Sequence, residues 1–129
     1  MTKEDHIVYW LDTCDDDRIT MEALFASGRY THSLFFGHLY VEKICKALWV
    51  KNHVDNTPPR IHNLGKILEG IETGLSDSDL MFLFDLNRYQ ISGRYPDYVN
   101  ALKKKTTKEF TAACIQQIIL IAECLRRKI

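Results

Sequence analysis

A chain of 129 residues is long enough for one domain, 1–129, that buries roughly two-thirds of the surface its unfolded form exposes. Its 17 basic and 17 acidic side chains cancel, which excludes a global attraction to polyanions and leaves any nucleic-acid contact to a local patch. With 46% hydrophobic and 26% charged residues, the composition is that of a globular protein. No apolar run approaches the ~20 residues of a membrane span. The polar start, Met1 to His6, carries no export signal, so a cytoplasmic location without membrane contact is expected.

The first predicted helix runs from about Lys3 to Ser27, with Ile7, Trp10, Leu11, Cys14, Met21, Leu24 and Phe25 apolar. Asp15, Asp16 and Asp17 interrupt that stripe, so a bend or fraying is expected there. They lack the glycine and spaced oxygens of a calcium loop. Gly28 supplies the stop. The second helix, Tyr30 to Asn52, is apolar on more than one face. Residues 54–59 form a loop. A short third helix spans Asn63 to Thr73, ending at Gly74, and Ser76 with Asp79 opens a fourth, Asp77 to Gln90. Ser92 to Thr106 reads as a connection with a helical turn after Pro96. Thr106 and Glu109 have capping-box spacing for a fifth helix ending near Arg127.

No segment alternates with period two, so the expected class is all-α: an up-and-down bundle of four long helices plus one short helix. The cysteines, Cys14, Cys45, Cys114 and Cys124, form no CxxC pair, which argues against a zinc or redox centre and for reduced, packed thiols. No metal and no cofactor is expected. The fifth helix, from Phe110 to Leu125, has little polar surface. Either it is the central helix of the bundle, or a second copy covers it; a homodimer is the preferred reading.

In an up-and-down bundle the loop after the second helix and the loop after the fourth share one end. That brings Arg60 and His62 towards Arg94, Tyr95 and Asp97. On the second helix, His38, Glu42, Cys45, Lys46 and Trp49 fall on one face, a polar seam on an apolar helix. The bland alternatives are a solvated Glu42–Lys46 pair, a His62 that only caps or orients the third helix, and a Tyr95-Pro96-Asp97 turn that only starts a helix. Lys103, Lys104 and Lys105, like Arg126, Arg127 and Lys128, read as solvated charge.

Several of these segments, taken in order, resemble one family. They are Tyr9-Trp10, Gly28-Arg29-Tyr30, Glu42-Lys43-x-x-Lys46-Ala47-Leu48, Pro59-x-x-His62-x-Leu64 and Arg94-Tyr95-Pro96-Asp97. The chain resembles the HEPN domain (higher eukaryotes and prokaryotes nucleotide-binding) over nearly its whole length. The resemblance implies a small helical bundle, usually dimeric, often encoded beside a minimal nucleotidyltransferase. Many members are ribonucleases of toxin–antitoxin or defence systems, with an arginine followed four to six residues later by a histidine. This sequence departs from that spacing. Arg29 is too close to His32 and too far from His38, Arg60 is one residue from His62, and no histidine follows Arg88 or Arg94.

The expected function is therefore a nucleotide-binding or interaction module acting with a nucleotidyltransferase. Arg60 and Arg94 would contact phosphate; His62, Tyr95 and Asp97 would complete the ligand site; Glu42 and Lys46 would order it. Two alternatives stand beside it. One is a metal-independent endoribonuclease with His62 as base and Arg94 stabilising charge on the RNA phosphate. The other is a ligand-free structural dimer of antitoxin type.

Overall fold

The computed structural model describes residues 1–91 and 96–129, apart from the side chains of residues 91, 96 and 97. Among the described residues the regular structure is entirely helical. The elements are α1 (Lys3–Ala26), α2 (Tyr30–Asn52), α3 (Leu64–Ile67), α4 (Asp77–Leu86), α5 (Arg88–Ile91), α6 (Pro96–Lys105) and α7 (Lys108–Arg126).

α1 begins at a reciprocal cap, with the Thr2 hydroxyl accepting from Asp5 N and the Asp5 carboxylate accepting from Thr2 N. It ends at Gly28, whose φ of +79° only glycine adopts without strain, and Arg29 N closes the turn on Leu24 O at 2.8 Å. α1 and α2 consequently run antiparallel. At their far end Lys3 Nζ donates to Val50 O, His53 O and Asn56 Oδ1 at 2.7–2.8 Å. One ammonium group thereby satisfies carbonyls that the C-terminus of α2 leaves open. The expected interruption at the aspartates is absent. α1 passes through them because each of two finds a cation on another helix: buried Asp17 meets Lys43 at 2.6 Å and Asp15 meets Arg126 at 2.6 Å.

The central helix is α2. Thirteen of its 23 residues are buried, against six of the 19 in α7, so the reading of the fifth predicted helix as the centre is corrected. α7 is instead amphipathic and lies parallel to α2, with Ile118 beside Gly37 and the Lys51 ammonium bonded to the carbonyl of Ile129. α4 runs against α7, where Gln117 Nε2 donates to Asp79 Oδ1 at 2.6 Å. The order α1, α2, α4, α7 is therefore up, down, up, down, as expected for the bundle.

Four features of the helix boundaries differ from expectation. The third helix stops at Ile67, capped at its start by Asn63, and the chain turns at Gly70 with φ +77°. The fourth breaks at Asn87, where Asn87 N and Gln90 N make i→i+3 bonds to Phe84 O and Asn87 O. The expected connection before the last helix contains α6, ten residues long, with Pro96 at a first helical position. Thr107 caps α7 rather than Thr106, whose hydroxyl instead joins Leu102 O and Tyr89 at the end of α6. The result is three long helices, two of ten residues and two of one turn among the described residues.

Candidate functional site

After α2 the chain turns back along the helix that it has just left. Pro58 is buried and Pro59 half-buried, and the two rings favour extended backbone, which carries His62 back to the middle of α2, roughly 16 Å of helix from His53 to Glu42. There His62 Nδ1 lies 3.1 Å from Glu42 Oε1. The other oxygen, Oε2, pairs with Lys46 Nζ at 3.3 Å, and that ammonium sits 5.4 Å from the centre of the Trp10 ring. Glu42 and Lys46 are 4% and 7% exposed, so the solvated-pair alternative fails.

The third partner is His38, one turn earlier on α2 and fully buried. Its Nε2 is 3.1 Å from Asn87 Oδ1, which also accepts from Leu64 N at 3.1 Å, while Asn87 Nδ2 faces Asn63 Oδ1 at 3.4 Å. Because Leu64 N can only donate, Oδ1 is fixed as the oxygen, and His38 must donate through Nε2. This explains the break at Asn87: its side chain is committed to three neighbours from other elements. Among the described residues His38 Nδ1 has no side-chain hydrogen-bond partner, and it stands 3.7 Å from Glu42 Oε1.

Burial pushes the His38 imidazole below its ordinary value of 6.5, against smaller upward pulls from the Asn87 bond, the Glu42 carboxylate and the His62 backbone. The neutral ring is the native form, whereas the unfolded chain takes up a proton near 6.5. Stability is therefore expected to fall as pH drops through about 6.5 and to level off once the folded form also protonates. Urea melts between pH 7.5 and 5 check this, with His38→Gln flattening the trend.

His62, with its Nδ1 held by Glu42, opens onto a cleft of about 330 Å³ lined also by Asn63, Phe84, Asn87, Arg88, Gln90 and Tyr98. Phe84 is exposed and Tyr98 half-buried. Arg88 is exposed and only loosely held, with Nη2 at 3.4 Å from Asp85 Oδ1. A second cavity of about 140 Å³ is lined by Phe82, Leu86, Leu102, Phe110 and Cys114 together with the polar Asp85, Arg88, Tyr89 and Lys105.

Of the residues expected from sequence, the structure brings Glu42, Lys46 and His62 together. His62 contacts Glu42 while Asn63 caps α3, so His62 is not the capping residue. Arg60 is exposed and does not line the cleft. Arg94 and Tyr95, and the side chain of Asp97, lie outside the described residues. Sequence reasoning missed Asn87, Arg88, Phe84 and Tyr98. A signal existed for Phe84: with Met81 it falls out of phase with the buried Leu83 and Leu86.

All four cysteines are free thiols, and burial raises Cys14 to about 12 and Cys114 to about 11. Among the described residues no cluster of His, Cys, Asp and Glu is arranged to hold a metal, and no helix is long and apolar enough to cross a membrane.

No curated protein matches the chain. Its fold is similar to the crystal structure of TT1696 from Thermus thermophilus, at a TM-score of 0.78 over 95% of this chain and 98% of that one, with 15% identity. The HEPN domain family matches residues 7–128, almost the entire bundle including α2 and the His62 segment. This chain belongs to the HEPN domain family.

Proposed function

We propose that the protein is a nucleotide-binding HEPN module whose ligand enters the cleft beside His62. The observation that carries this reading is the meeting in one small space of two aromatic faces, amide edges and an arginine. Phe84 and Tyr98 offer surfaces on which a base stacks. Asn63 and Gln90 offer donors and acceptors for its edge, and the Arg88 guanidinium suits a phosphate. A cleft of about 330 Å³ is at the low end for small-molecule sites, which favours a mononucleotide over a long oligonucleotide.

Titration with mono-, di- and triphosphate nucleosides by calorimetry tests the reading. Phe84→Ala is expected to weaken binding by about tenfold, through lost stacking. Arg88→Ala is expected to weaken phosphorylated ligands but not the bare nucleoside. No binding to the wild type removes the ligand.

Family membership supports a biological setting for this module. A minimal nucleotidyltransferase is the proposed partner, in a toxin–antitoxin or defence-type system. A homodimer is proposed from the exposed Leu80, Met81 and Phe84 on α4 together with Leu120 on α7. Four free thiols fit a reducing, cytoplasmic compartment. Arg60, Arg94, Tyr95 and Asp97 remain proposed ligand contacts, to be tested by substitution in the same titrations.

One arrangement favours a second reading, endoribonuclease activity. A carboxylate only accepts, so Glu42 holds the proton of neutral His62 on Nδ1 and leaves Nε2 as a base. That nitrogen would take the proton of a ribose 2′-hydroxyl as the 2′-oxygen attacks phosphorus and the 5′-oxygen leaves. Arg88 or Arg94 would stabilise the added charge. Single-stranded RNA cut by the wild type and spared by His62→Ala would establish it; equal cleavage by both would dismiss it.

A further inference from the structure

We propose that His38 is a positioning partner of His62, because the two imidazoles compete for Oε1 of Glu42. Whatever draws His62 towards the cleft hands that oxygen to His38, which then takes up a proton. The proposal deepens the ligand site above and rests on it only for its consequence; the competition itself needs no ligand.

Three observations carry it. His62 Nδ1 at 3.1 Å and His38 Nδ1 at 3.7 Å approach the same oxygen, from the solvent side and from the core. The Glu42 carboxylate cannot move far, since Lys46 holds Oε2 at 3.3 Å. The His38 ring cannot turn away either, since Asn87 anchors Nε2 and is itself anchored by Leu64 N and Asn63. Among the described residues that leaves a buried nitrogen without a hydrogen-bond partner, an arrangement rare enough in folded proteins to require a reason.

In neutral His38 the bare Nδ1 lone pair faces a carboxylate oxygen, acceptor against acceptor. A proton on Nδ1 converts that opposition into a charge-assisted bond. Glu42 and His62 are the titratable groups that face His38, the first favouring and the second opposing its protonation. While His62 occupies Oε1, a proton on His38 gains little. Once His62 engages an anionic ligand, the carboxylate is released to His38. Ligand binding and proton uptake at a buried site are then linked, and the linkage is reciprocal.

The test is a nitrogen-detected NMR titration of the His38 ring in the unliganded protein. Wild type, His62→Ala, Glu42→Gln and the double variant form a thermodynamic cycle. His62 is exposed, so its removal leaves the core intact. His38 is expected to bind its proton roughly three- to tenfold more tightly in His62→Ala than in wild type. That gain should vanish in the Glu42→Gln background. An unchanged His38 titration in His62→Ala overturns the proposal. So does a gain that persists without the carboxylate, which would mean that His62 acts only by excluding water. Failure of nucleotide titrations with the coupling intact would remove the ligand reading alone.

Discussion

Glu42→Ala is expected to lower the stability of the fold by about 3–5 kcal/mol, the cost of leaving a buried ion without its partner. The carboxylate is the hub of the polar centre, accepting from His62 and pairing with Lys46. Without it the Lys46 ammonium, 7% exposed, keeps only the face of Trp10 among the described residues. Urea denaturation measures the loss, and a melting temperature lower by roughly 10–20 °C is the thermal equivalent. A contrasting variant, Glu42→Leu with Lys46→Met, removes both charges and is expected to recover most of the stability while abolishing the geometry of His62. A loss below about 1 kcal/mol in the alanine variant would show that the pair is solvated after all.

Gly37→Leu is expected to cost about 3 kcal/mol, at the upper end for overpacking a core. Gly37 sits where α1, α2 and α7 converge, and a Cβ there would stand 2.7 Å from Ile118 Cδ1 and 3.1 Å from Met21 Sδ. Both neighbours are fully buried, so neither has an open direction in which to yield. Gly37→Ala is a milder case, because the gain in helix propensity of about 1 kcal/mol offsets part of the overlap. The two variants together separate backbone entropy from crowding. Equal stability for leucine and alanine would place the three helices further apart than they are here.

Where local chemistry decides a boundary, the sequence was legible. Gly28 ends α1, Ser76 opens α4, and the seam of His38, Glu42 and Lys46 on α2 is the polar centre. Where a side chain is committed to tertiary partners, it was not. Asn87 looks like one more polar position in a helix, yet its bonds to Leu64 N and His38 break that helix and build the centre. Asp17 looks like a defect in an apolar stripe until Lys43 appears opposite it. α6 was hidden because its sequence, Pro96 to Lys105, ends in three lysines and leaves only Leu102 fully buried among its described side chains. Phe84 and Tyr98 look like ordinary helix apolars until their positions at the cleft are known. Arg60, chosen by charge alone, is exposed and does not line the cleft, because spacing in the chain does not say which surface an arginine joins.

The polar centre is rooted in the one helix that every other long helix packs against, so its parts differ in how freely they move. Glu42 and His38 are buried on α2, which places them among the parts that open at the highest free energy. His62, Phe84 and Arg88 ride on exposed positions and rearrange in nanoseconds. The recognition proposed at the rim and the charge storage proposed beneath it would therefore run on separate clocks.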